Sequence, residues 1–208
     1  MNQVLPIDIF ISKLFLHANV SPEKEIADLY FTCGSSFNHK ETKFYKLRIG
    51  QKDWSSRGMG NLPDNLCTKP QYFVVPWAGK PRKPQTFISR FRRKLKFKGV
   101  LREFFDLADS IKEKGFDNSE EPIKGYLLRQ GENQKRFLYT DGNRRIGILS
   151  SLVERSNSLK YSSKIHVDVR GEFLWESIME SEVVKDNILK YGFTRRDIEI
   201  WFNHVFSV

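Results

Sequence analysis

Apolar residues at Leu101, Phe104, Phe105, Ala108 and Ile111 recur at helical spacing, and Gly115 follows them as a suitable stop. The period then changes to two. Pro122 to Arg129 reads as a strand, Gln130 to Lys135 as a polar turn carrying a glycine, and Arg136 to Thr140 as a second strand. A hairpin or a closely paired two-strand unit is therefore expected. Helical spacing returns from Arg144 to Leu152, with Ile146, Leu149 and Leu152 on roughly one face, and Lys164 to Val169 alternates as a further strand. The pattern ends in two helices. One spans Phe173 to Lys190 and breaks at Gly192. The other spans Thr194 to Phe206, with Thr194 as its cap and Ile198, Trp201, Phe202 and Val205 as its apolar stripe.

The first 78 residues carry a weaker signal. Pro22 to Phe31 reads as a helix with proline in its first turn, and the Gly-, Ser-, Asn- and Pro-rich stretch Asp53 to Asn65 as a long loop. Gln71 to Gly79 gives a short β-type run ended by Pro76, and the prolines that follow keep the next residues extended. The N-terminus has no basic start and carries Asp8 within its apolar stretch, so a signal peptide is not expected. No apolar run approaches bilayer-spanning length, and no membrane partner is expected.

Composition adds a core and a charge. Hydrophobic residues make up 39% of the 208 and aromatics 13%, enough to build a packed interior. The net charge of +10 arises from one segment, Gly79 to Arg102, which holds ten Lys or Arg residues and no acid. Arg90, Arg92, Arg93, Lys94 and Lys96 are its candidate contacts to nucleic acid or another anion, and Phe87, Phe91 and Phe97 are interleaved as stacking surfaces. Two plainer readings stay open: a solvated face, or a helix whose stripe Phe87, Ile88, Phe91 and Leu95 is buried. Cys33 and Cys67 have no metal-ligand spacing, and a reduced pair in the cytoplasm fits them. His17, His39, His166 and His204 are scattered without metal spacing.

The stretch RFLYTDGNRRIGILSSL, Arg136 to Leu152, puts Asp-Gly-Asn-Arg-Arg where a strand hands over to a helix. Gly142 permits a tight turn or a close backbone approach. The first amides of the helix have no intrahelical partner, and its dipole adds positive character there. Arg144 and Arg145 add permanently charged planar donors suited to phosphate oxygens. Asp141 is then either the helix cap or a carboxylate able to position a metal ion or accept a proton. On local sequence, a capped surface helix with two solvated arginines is as good a reading as a phosphate cradle.

A second element bears on that choice. LADSIKEKGFDNSEEPIKGYLL, followed about twenty residues on by the Asp-Gly-Asn-Arg-Arg stretch, resembles the ParB/sulfiredoxin-like superfamily over about residues 100–170. Leu107, Ala108, Ser110, Ile111, Gly115, Pro122 and Ile123 match the superfamily's helix and strand opening in order. Gly142, Arg144 and Arg145 match its Gly-x-Arg-Arg turn, and Ile165 to Val169 its closing strand. The resemblance implies an α+β fold: a small mixed sheet with packed helices, as a nucleotide-binding core over 99–171. A 1–98 extension bearing the basic segment would pack on that core, and 172–208 would add C-terminal helices. Asn143 stands where relatives carry Glu or His, and the turn has no Cys, which argues against sulfiredoxin chemistry.

The function so implied is that of a nucleotide-dependent kinase or phosphotransferase acting on a small acceptor, one the basic segment would attract if anionic. Arg144, Arg145, Gly142 and Asn143 would hold the phosphates of ATP, ADP or CTP, with Ser110 also among the nucleotide-binding positions. Asp141 would position Mg²⁺ or substrate, and Glu103 or Asp106 would act as base. The alternative is a nucleic-acid-associated protein, an NTP-switched DNA binder or a nuclease, using the basic segment. A non-catalytic scaffold is a third.

Overall fold

The computed structural model describes residues 1–12, 21–49, 87–156 and 164–180, together with Glu182, Arg196, Glu199, Asn203, Val205 and Phe206. The expected hairpin is present. Strand β3 (Ile123–Gln130) pairs antiparallel with β4 (Gln134–Tyr139), from Gly125 opposite Tyr139 to Gln130 opposite Gln134. Gly131 turns the chain between them at φ 60, a conformation that glycine adopts at low cost. On its other side β3 pairs parallel with β5 (Lys164–Leu174), with a register shift between Gly125 and Tyr126. The edges come from the N-terminus. β1 (Asn2–Pro6) pairs antiparallel with β5, and β2 (Phe10–Ser12) pairs parallel with β4, giving the order β1-β5-β3-β4-β2.

Among the described residues, helices α1 (Pro22–Cys33), α2 (Lys43–Ile49), α3 (Phe87–Lys114) and α4 (Asn143–Ser156) accompany this mixed sheet. Alternation along the strands sends Ile123, Leu127, Phe137, Tyr139, Ile165, Val167 and Val169 into the main core. There they join Ile26 and Ala27 of α1, Phe44 of α2, Phe97, Phe104, Ala108 and Ile111 of α3, and Ile146, Leu149 and Leu152 of α4. Each large side chain fully buried in this way contributes about 1.5–3 kcal/mol. Leu128 and Leu138 are buried outside that cluster, on the opposite face of the hairpin by the same alternation.

Polar contacts fix how the helices meet. Ser151 of α4, fully buried, donates to the Asp28 carboxylate of α1 at 2.5 Å, and Arg155 donates to the Asp28 carbonyl at 2.8 Å. Gly147 allows the close approach behind these bonds, since a Cβ there would collide with the Glu23 Cβ and the α1 backbone. The Glu25 carboxylate accepts from the Lys43 amide at 2.7 Å and so caps α2. Burial pushes the Glu25 pKa up, against the lowering effect of that hydrogen bond. Tyr30 stacks on Phe105, ring centroids 4.1 Å apart, and donates to Asp109 at 2.8 Å.

Several expectations need correction. The N-terminal residues, read only as an apolar stretch, form both edge strands; a five- and a three-residue strand are too short to show their period. The helix read from Leu101 is continuous with the helical reading of the basic segment, and α3 includes Phe87 to Lys114, because that segment contains good helix formers and no proline after Pro84. The boundary expected at 98/99 therefore lies inside one helix, and that at 171/172 inside β5. Phe173 and Leu174 end β5 instead of opening a helix, and Trp175–Glu180 is a 3-10 turn. Three residues of the stripe offered as buried are exposed, Ile88, Phe91 and Leu95, and the side chain of Phe87 lies outside the described residues. In the last expected helix, Arg196, Glu199, Asn203, Val205 and Phe206 are helical and Val205 is buried. The loop from Asp53, the run from Gln71, the side chain of Arg90, and Cys67, His17 and His204 lie outside the described residues. No helix among the described residues is long and apolar enough to cross a membrane.

Candidate functional site

The turn between β4 and α4 is anchored before it reaches the arginines. The amides of Thr140 and Asp141 donate to the Lys124 carbonyl of β3 at 2.8 and 3.3 Å, and the Thr140 hydroxyl donates to the same oxygen at 3.1 Å. Gly142 then adopts φ 73, and a Cβ on it would run into the Ile123 Cδ1. The turn expected of this glycine is met, and its open side is taken by the Ile123 side chain. Its carbonyl accepts the first helical hydrogen bond, from Ile146 at 3.0 Å. Gly142 is thus the cap and Asn143 the first residue of α4. Asp141 is not the cap: its exposed carboxylate accepts from the Gly142 amide at 2.7 Å.

The two arginines leave the turn in different directions. Arg144 donates to Glu103 of α3 at 3.3 Å, which brings an expected base against an expected phosphate ligand. Arg145 folds back beside Gly142 and donates twice to Glu121, to its carboxylate at 2.8 Å and its carbonyl at 3.1 Å. Both carboxylate partners are largely exposed, so each pair contributes about 0–1 kcal/mol and is readily exchanged for a stronger anion. The Asn143 Oδ1 is shut off from solvent and has no hydrogen-bond partner among the described residues. A buried acceptor in that state is costly, and a ligand or water donor would satisfy it.

The remaining candidates are spread along α3. Asp106 is exposed and lies 4.0 Å from Arg102, one turn before it. Ser110 is half-buried two turns after Glu103 and on the same face of the helix. Arg92, Arg93, Lys94 and Lys96 are exposed in the N-terminal half of α3, on turns preceding Glu103, and do not join the turn. Phe97, offered as a stacking surface, is 2% exposed and belongs to the core.

Glu121 was missed. Its segment, Phe116 to Glu121, links α3 to β3, clamps Arg145 and supplies Asn118. The buried Asn118 side chain donates to the His166 carbonyl at 2.7 Å and accepts from the His166 amide at 3.1 Å. No spacing signals either contact, because both partners are distant in the chain.

As a phosphate site the turn fits: it combines a helix start, two guanidinium groups and a glycine at positive φ. As a metal site it offers less. Asp141 is a single carboxylate, and no group of three His, Cys, Asp or Glu residues able to hold a metal ion exists among the described residues. Mg²⁺ accepts such a site when phosphate oxygens and water complete its shell. Comparison with family models, curated proteins and solved structures finds no match to the chain.

Proposed function

We propose that the turn from Asp141 to Arg145 binds the phosphates of a nucleotide, and that the protein is a phosphotransferase of the ParB/sulfiredoxin-like kind. One observation carries this reading: the helix start at Gly142, filled against Ile123, has two arginines beside it whose partners are exposed carboxylates. Phosphate would displace Glu103 and Glu121 from the guanidinium groups and gain a bidentate partner in each. The Asn143 amide adds a donor at the positive end of the α4 dipole.

Glu103, once displaced, sits one side chain away from the bound phosphates, where it would accept the hydroxyl proton of a small acceptor. Asp141 would share Mg²⁺ with the phosphate oxygens. The nucleotide supplies the phosphoryl group, and the chain's own task is positioning and charge stabilisation. Asp106 and Ser110 continue the Glu103 face and would border the acceptor.

A thermal-shift screen with ATP, ADP and CTP, each with Mg²⁺, tests this. A ligand at a hundred times its Kd stabilises by about 2.7 kcal/mol. The response should disappear in Arg145→Ala. A chain unmoved by every nucleotide would sink the proposal.

A further inference from the structure

The N-terminal half of α3 has two apolar faces, and only one is used by the core. Phe97, Phe104, Ala108 and Ile111 point into the main cluster. Ile88, Phe91 and Leu95 fall within about 60° of one another around the helix, and about half a turn from that core face. They are 63%, 56% and 68% exposed. Isolated exposed apolar residues need no explanation, but three aligned over two turns do.

The surroundings of the stripe indicate its partner. Arg92 and Lys96 border it on one side, Lys94 and Lys98 on the other, and all four are exposed. Lys80, Arg82 and Lys83 precede the helix, and no acid occurs between Gly79 and Arg102. A partner must therefore be anionic and must also receive apolar side chains at the centre of the contact. Nucleic acid meets the first condition and not the second. Ile88 and Leu95 cannot stack on bases, and Phe97 is in the core, so of the three exposed stripe residues Phe91 alone can stack. An anionic bilayer surface meets both, with cations among the headgroups and apolar tips at the acyl boundary.

We infer that the exposed face of α3 from Ile88 to Lys98 docks on an anionic lipid surface, with Ile88, Phe91 and Leu95 inserted and Arg92, Lys94, Lys96 and Lys98 at the headgroups. The chain lies on the membrane and does not span it. The contact is independent of the Asp141–Arg145 turn and stands whether or not that turn binds nucleotide.

Flotation of the full chain with phosphatidylcholine vesicles, with and without phosphatidylglycerol, tests the inference. Binding is expected to the phosphatidylglycerol vesicles alone and to weaken with salt. The double variant Phe91→Gln, Leu95→Gln should lose at least about tenfold in affinity while its unfolding midpoint stays in place, because both side chains are already in water. Lys94→Glu with Lys96→Glu should lose as much. Four results would overturn the inference. One is no binding to the anionic vesicles. Another is full binding by the Gln variant. A third is tighter capture of single-stranded or duplex DNA than of vesicles. The last is a stripe already covered, seen as a lowered midpoint in the Gln variant or as a dimer in light scattering that the variant dissociates.

Discussion

Arg144, the second residue of α4, donates to Glu103 of α3 across 3.3 Å, joining two side chains 41 positions apart in the chain. The pair holds the guanidinium of a phosphate-binding candidate under the carboxylate of a candidate base. Each therefore restrains the other.

Glu103→Gln separates these roles. With its competitor neutralised, Arg144 should bind nucleotide up to about fivefold more tightly, the range an exposed ion pair spans. Phosphoryl transfer to the acceptor should fall by about 10²–10⁴, the usual contribution of a positioned base. Calorimetric titration reads the first and product formation the second. Unchanged turnover would confine Glu103 to the ion pair.

Gly147→Ala tests the junction of α1 and α4. The added methyl meets Glu23 and the α1 backbone, neither of which is the free end of a flexible side chain. A loss of about 1–3 kcal/mol in urea unfolding is expected from such overpacking, despite the better helix propensity of alanine. A stabilised variant would show that α1 does not pack there.

Tyr30→Phe should be less stable than the native chain at neutral pH, and the difference should shrink as the phenol ionises in base. Burial against Phe105 and the bond to Asp109 push the Tyr30 pKa up to about 12 from 10.0. A folded-state pKa above the unfolded one stabilises fully below the unfolded value. The advantage is lost as pH rises from 10.0 through about 12. Denaturant midpoints of both proteins across that range read it directly.

Glu25→Gln inverts the usual expectation for an acid. Burial raises the Glu25 pKa above 4.5, so the ionised form costs stability at neutral pH. Glutamine keeps the acceptor for the Lys43 amide without the charge. The native chain should gain on the variant as pH falls from neutral to below 4.5, where the native carboxyl is neutral in both states. A midpoint difference that does not change with pH would show that the carboxylate stays hydrated.

Local chemistry was readable wherever neighbouring residues settle it. Gly131 between two alternating runs produced the hairpin, and Pro22 opened α1 at its first position. The Asp-Gly step before an amphipathic run started α4 within a residue of its expected place. Misreadings gathered where a partner decides. Phe173 has the spacing of a helix but is held in β5 beside Leu128 of β3. Leu95 has the spacing of a core residue, yet the core takes the opposite side of its helix.

The sequence by itself determined the helix and strand periods of residues 101–169 and the identity of the turn that links β4 to α4. Those signals reside in φ preferences and side-chain spacing within a few residues. Tertiary structure decided that Asn2–Pro6 and Phe10–Ser12 close the sheet, and that Glu103 and Glu121 hold the arginines. It also decided which of two apolar faces of α3 is buried. Each of those outcomes is fixed by burial and charge pairing between residues far apart in the chain, which no local pattern encodes.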